Sequence, residues 1–98
     1  MEISFLEEMA NKYSFKGITK KSEDIFIARK YFAISLGFNR YLERTDFIFL
    51  CRKFLEYSGL TKNEMADYEK WGCEMVSFGL DLTDCVRKIF DNSISNPF

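Results

Sequence analysis

The chain has 98 residues, of which 47% are apolar and 30% are charged, with a net charge of −1 and no histidine. This length and composition exclude a second domain and the low hydrophobicity of a disordered chain, so we expect one domain over residues 1–98. Without histidine, the chain lacks the side chain most often used for acid–base catalysis and metal binding near neutral pH. The near-neutral charge also argues against nucleic acid as a partner.

The cysteines and the first residues of the chain indicate a cytoplasmic protein. Cys51, Cys73 and Cys85 are odd in number and form no C-x-x-C pair, which favours free thiols over disulfides or a zinc site. Acidic groups stand near the amino terminus where an export signal needs basic ones, and no apolar run approaches the ~18 residues that span a bilayer. We therefore expect no membrane segment, no metal and no other cofactor.

Four glycines divide the chain into segments of similar length. Gly17, Gly37, Gly59 and Gly79 are each followed by a large apolar residue, which is typical of a helix that ends with glycine in the left-handed conformation. Together with candidate capping residues, they predict an all-α, single-domain bundle of about five short helices. The predicted helices span residues 5–16, 22–36, 46–58, 62–78 and 82–91, followed by a polar tail over 92–98.

In chain order, the first predicted helix begins at a capping box, Ser4 to Glu7, and is apolar on one face. The second is apolar on two opposite faces, which is typical of a helix in the middle of a bundle. Arg29 interrupts its main face; we expect the guanidinium to reach an acid or a helix carboxyl end, with a ligand-facing role as the alternative. The third predicted helix is apolar around most of its circumference. Its Phe49 is either covered by another helix or exposed. The second and third helices therefore form the predicted central pair.

The fourth predicted helix begins at a second capping box, Thr61 to Glu64, and the fifth is apolar on one face. The segment from Leu60 is similar to the opening of a helix-turn-helix motif, but Lys70 stands where that motif needs a turn glycine, so DNA binding is not expected. No phosphate-binding loop, nucleophile elbow, zinc-protease or calcium motif occurs. Since the helix dipole explains the acidic residues at helix starts, we predict no catalytic residue and no enzyme activity.

The fourth helix carries the pattern most typical of a binding surface. Two acidic and two large aromatic side chains fall on one edge of it, with two further acids near its ends. Residues 17–60 carry a net charge of +3 and residues 61–98 a net charge of −3, so a basic partner would be steered toward this half. Aromatic rings within a charged rim are typical of interface hot spots. The predicted partner-binding residues are Asp67, Trp71, Glu74, Phe78, Glu64 and Asp81.

In its size, its helical architecture and the acidic and aromatic edge of its fourth helix, the chain resembles the small immunity proteins that bacteria pair with nuclease toxins in colicin and contact-dependent inhibition systems. The resemblance implies a stoichiometric inhibitor that covers the basic active site of a cognate toxin, or a surface beside it. It implies a protein partner, no cofactor and a location in the bacterial cytoplasm.

Two other functions fit the same features. A phage or plasmid anti-defence or regulatory adaptor would bind a host protein through the same face, and a toxin gene beside this one would instead favour immunity. A structural homodimer would pair two copies through the fourth helix or Phe49. We expect the free protein to be a monomer or a weak homodimer.

Overall fold

The computed structural model describes residues 3–81. That range contains four α-helices and no strand, which confirms the all-α prediction. The helices are α1 (Ile3–Lys20), α2 (Ile25–Tyr41), α3 (Thr45–Tyr57) and α4 (Lys62–Asp81). The predicted fifth helix over 82–91 and the polar tail over 92–98 lie outside the described residues.

α2 is the central helix, as its two apolar faces predicted. It packs against α1, α3 and α4, and every residue from Tyr31 to Asn39 is buried. One hydrophobic cluster joins α2 to α1 and to Val76 of α4, and a second joins it to α3 and Leu60. Because α2 supplies residues to both clusters, it holds the bundle together.

α3 is not central, so the predicted central pair is wrong for its second member. Only Cys51 and Leu55 of α3 are buried, whereas Phe47, Leu50 and Tyr57 are exposed. The helix packs mainly on α2 and only slightly on α4, which leaves much of its apolar circumference without a neighbour within residues 3–81. Phe49 is 57% exposed, with the Lys53 ammonium 5.3 Å from its ring centre.

The glycine rule also fails at three of its four positions. Gly17, Gly37 and Gly79 lie inside helices, and only Gly59 follows a helix end with a positive φ of 95°. At position 17 of α1, glycine leaves space for the Phe32 ring: a Cβ there would come within 2.8 Å of that ring. Of these four glycines, two therefore lie at close packing contacts and one lies at a helix end.

α2 and α4 cross at close range. A Cβ on Gly72 would lie 2.0 Å from the carbonyl oxygen of Ala33, and a Cβ on Gly37 would lie 2.6 Å from the carbonyl oxygen of Gly72. The two backbones touch directly because neither glycine has a side chain. This contact fixes the rotation of α4 about its axis, and hence which α4 residues face outward.

The start of α4 agrees with the prediction from the sequence, whereas the starts of α1 and α2 differ from it. The Thr61 N–H donates to Glu64 Oε1 at 3.0 Å and the Glu64 N–H donates to Thr61 Oγ1 at 3.2 Å, which confirms the second capping box. Ser4 instead lies inside α1. α2 begins after Asp24, whose Oδ1 accepts the N–H groups of Phe26 and Ile27, so residues 22 and 23 precede the helix.

Arg29 links α2 to the carboxyl end of α3, as expected from its position. Its Nε donates to Ser58 Oγ at 3.0 Å, and its Nη2 donates to the carbonyl oxygen of Ser58. Since the last carbonyl groups of a helix have no partner within the helix, this cation satisfies one of them.

Thr61→Ala is expected to lower the free energy of unfolding by about 1 kcal/mol, because it removes one of the two capping-box hydrogen bonds at the start of α4. Thr45→Ala is the matched control, since Thr45 is exposed and α3 begins without a side-chain capping bond at Arg44. Urea unfolding of both variants measures the difference. Equal losses would mean that the capping box contributes nothing specific.

Candidate partner-binding surface on α4

All six predicted partner-binding residues belong to α4, and four of them form one strip. At 100° per residue, Asp67, Trp71, Glu74 and Phe78 lie within an arc of about 60° on the helix surface. We call these four residues the α4 strip. Asp67, Glu74 and Phe78 are exposed, and Trp71 is half-buried. The structure therefore brings together two carboxylates and two rings that solvent reaches.

The other two predicted residues do not belong to the strip. Glu64 is exposed, but its carboxylate serves the capping box, and the hydrogen bonds with Thr61 lower its pKa. Asp81 is the last residue of α4, and its side chain lies outside the described part of the structure. The Glu64 carboxylate therefore already has a structural role, because it accepts a hydrogen bond within the capping box.

The strip is held in place by the packed side of α4. Gly72 and Val76 are buried against α2, and Met75 and Trp71 pack on the hydrophobic cluster that α1 and α2 form. One part of the Trp71 indole is therefore fixed by the core while the rest reaches solvent. A ring held in this way loses little side-chain entropy when a partner covers it.

A shallow hollow of about 220 Å³ lies at the amino-terminal end of the strip, lined by Lys30, Asp67, Tyr68 and Trp71. Lys30 and Tyr68 were not predicted from the sequence to belong to this surface. Lys30 is on α2, and only the packing of α4 on α2 brings it beside Asp67 and Trp71; burial lowers its pKa. The hollow therefore combines a ring wall with one positive and one negative group.

Glu69, a further acid on α4, has a structural role. It accepts hydrogen bonds from Arg40 at 2.9 Å and from Arg52 at 2.6 and 3.2 Å, which ties α4 to α2 and α3. The bond to Glu69 raises the pKa of Arg52. Asp67 and Glu74, in contrast, make no ion pair within residues 3–81. Among the described residues, neither carboxylate is therefore held by a salt bridge.

The cysteines offer no alternative chemistry in the described residues. Cys51 is buried and Cys73 half-buried, both as free thiols, and burial raises the pKa of each. The prediction of free thiols is confirmed for these two, and Cys85 lies outside the described residues. A raised pKa keeps a thiol protonated and weakly nucleophilic near neutral pH.

Within residues 3–81, no cluster of three or more possible metal ligands occurs, and no helix is long and apolar enough to cross a membrane. Comparison with known proteins gives no match: no family model, no curated protein and no solved structure is detectably similar to the chain. The α4 strip is therefore the feature from which we infer a function.

Proposed function

We propose that the protein is a stoichiometric protein-binding inhibitor of the immunity type, which neutralises a cognate toxin by covering its basic active site. The α4 strip is the proposed contact surface. One observation carries the proposal: Asp67 and Glu74 are exposed beside two solvent-accessible rings and make no ion pair within residues 3–81, whereas Glu69 on the same helix is bound by two arginines.

The chemistry of the strip fits a basic protein surface. Unpaired carboxylates at the rim attract a positively charged partner over several ångströms and increase the rate of encounter. Trp71 and Phe78 then supply apolar area that is removed from water on binding, and large rings near the centre of an interface carry most of its affinity. Nuclease active sites need positive charge to hold a phosphate backbone, so such a site has the charge that the strip attracts.

Affinity capture from the source organism tests the proposal. We expect the wild-type protein to retain one basic protein in a 1:1 complex, identified by intact mass spectrometry. The variant Asp67→Lys with Glu74→Lys should fail to retain it, because both charges at the rim are reversed. Retention of a host regulatory protein in place of a toxin would support the adaptor function.

The matched control reverses two acids elsewhere. Glu7 and Glu8 on α1 are exposed, so Glu7→Lys with Glu8→Lys changes the net charge by the same amount without touching the strip. Loss of the partner in both variants would show a response to overall charge alone. Retention by both would mean that the α4 strip is a solvated face and the proposed function is wrong.

A further inference from the structure

A second surface feature lies at the end of the bundle where α2 begins and α3 ends. It is a cavity of about 390 Å³, within the ~300–1,000 Å³ typical of small-ligand pockets. Four apolar or aromatic side chains and two cations form most of its wall. We call it the α2–α3 cavity, and these residues are Ile25, Phe32, Phe54, Tyr57, Lys21 and Arg29.

The apolar part of this cavity is rigid on one side and open on the other. Phe32 is buried and stacks on Phe54 with ring centres 4.4 Å apart and planes 7° from parallel. A Cβ on Gly17 of α1 would come within 2.8 Å of the Phe32 ring, so α1 packs closely against that ring. Tyr57 also lines the cavity and is 80% exposed. A flat apolar group would therefore find a packed ring surface inside and an exposed one beside it.

The polar part of the cavity is positive and includes no carboxylate. Lys21 is exposed and makes no ion pair within residues 3–81. Arg29 uses Nε and Nη2 on Ser58, so Nη1 has no hydrogen-bond partner among the described residues. Both cations thus keep donors for a further acceptor.

Each acid near this end of the bundle already has a partner. Glu23 pairs with Lys20 at 3.1 Å, Glu56 pairs with Lys53 at 3.4 Å, and Asp24 caps α2. Glu64 is close enough for Arg29 to contribute to its lowered pKa, after the larger effect of its hydrogen bonds with Thr61. The positive side of the cavity is therefore not compensated by a carboxylate in its wall.

We propose that the α2–α3 cavity binds a small amphiphilic anion. Its apolar body lies on the stacked pair of Phe32 and Phe54, under Tyr57, and its acidic group meets Lys21 and the free Nη1 of Arg29. Neither the partner surface on α4 nor an inhibitory function is needed for this site. It is a second site with its own ligand chemistry.

Two fluorescent probes with the same rings test the proposal. 1-Anilinonaphthalene-8-sulfonate is an anion, and N-phenyl-1-naphthylamine is its neutral counterpart. We expect the anion to bind one site per chain, about fivefold more tightly than the neutral probe, as a partly exposed ion pair allows. In Lys21→Gln this preference should fall to about twofold, and in Lys70→Gln, an exposed lysine on α4 outside the cavity, it should be unchanged.

Equal binding of the two probes to the wild-type protein, or a preference that stays at about fivefold in Lys21→Gln, would overturn the proposal. Because Lys21 is exposed, its replacement leaves the core intact and the variant is expected to fold. Displacement of the bound anion by 2-naphthoate would identify an aromatic body, and displacement by decanoate an acyl one. If neither displaces it from the wild-type protein, the proposal is also wrong.

Discussion

Gly72→Ala is expected to lower the free energy of unfolding by about 3 kcal/mol or more, since the added methyl group has no space. The Cβ would lie 2.0 Å from the carbonyl oxygen of Ala33 and 2.5 Å from its carbonyl carbon. Both atoms belong to the backbone of α2, so no side-chain rotation relieves the contact. The helices must move apart, and the packing of Gly37 and Val76 at the same crossing is then lost as well.

The direction of the change in unfolding free energy shows which effect of Gly72→Ala is larger: the loss of close packing or the better helix propensity of alanine. In an unpacked helix, replacing glycine by alanine stabilises by up to about 1 kcal/mol. Ser77→Ala, on the exposed side of α4, is the control and should change stability by no more than about 0.5 kcal/mol. Urea unfolding followed by circular dichroism measures both variants. A Gly72→Ala protein as stable as the wild type would contradict the crossing of α2 and α4.

Features that depend on neighbouring residues were predictable from the sequence. The capping box at Thr61 and Glu64 needs only one turn of helix, so its two hydrogen bonds follow from residue types at fixed spacing. The central position of α2 follows from apolar residues on opposite faces. For Arg29, the sequence predicted an acid or a helix carboxyl end as the acceptor, because a cation on an apolar face needs one, but it did not show that this end belongs to α3.

Features that depend on distant backbone were not predictable. Gly37 and Gly72 meet although they are 35 positions apart, and nothing near either one in sequence distinguishes close packing from a helix end. Residue pattern also overestimated the burial of α3, since an apolar circumference is buried only where other helices cover it. For the same reason the sequence placed Asp67, Trp71, Glu74 and Phe78 together on α4 but missed Lys30, which reaches them from α2.

Trp71→Ala is expected to weaken partner binding by about 2 kcal/mol, roughly thirtyfold in Kd, because the indole is the largest ring of the α4 strip and is already held by the core. Isothermal titration with the captured partner measures the change. Phe15→Ala is the control: Phe15 is 70% exposed on α1, so its removal should leave the affinity unchanged.

The stability of the Trp71→Ala variant must be measured alongside its affinity. Trp71 packs on the cluster that includes Val76, so its removal also costs core packing. Binding is therefore compared at a temperature where circular dichroism shows both proteins fully folded. A folded Trp71→Ala protein with wild-type affinity would remove Trp71 from the interface.

The rate of association with the captured partner tests the central claim most directly, because exposed charges act mainly on encounter. At low ionic strength, Asp67→Lys with Glu74→Lys should associate about tenfold or more slowly than the wild type, and the difference should shrink as salt is added. The control, Glu7→Lys with Glu8→Lys, should lose much less. If the folded strip variant associates as fast as the wild type at low salt, the α4 strip is not the partner-binding surface.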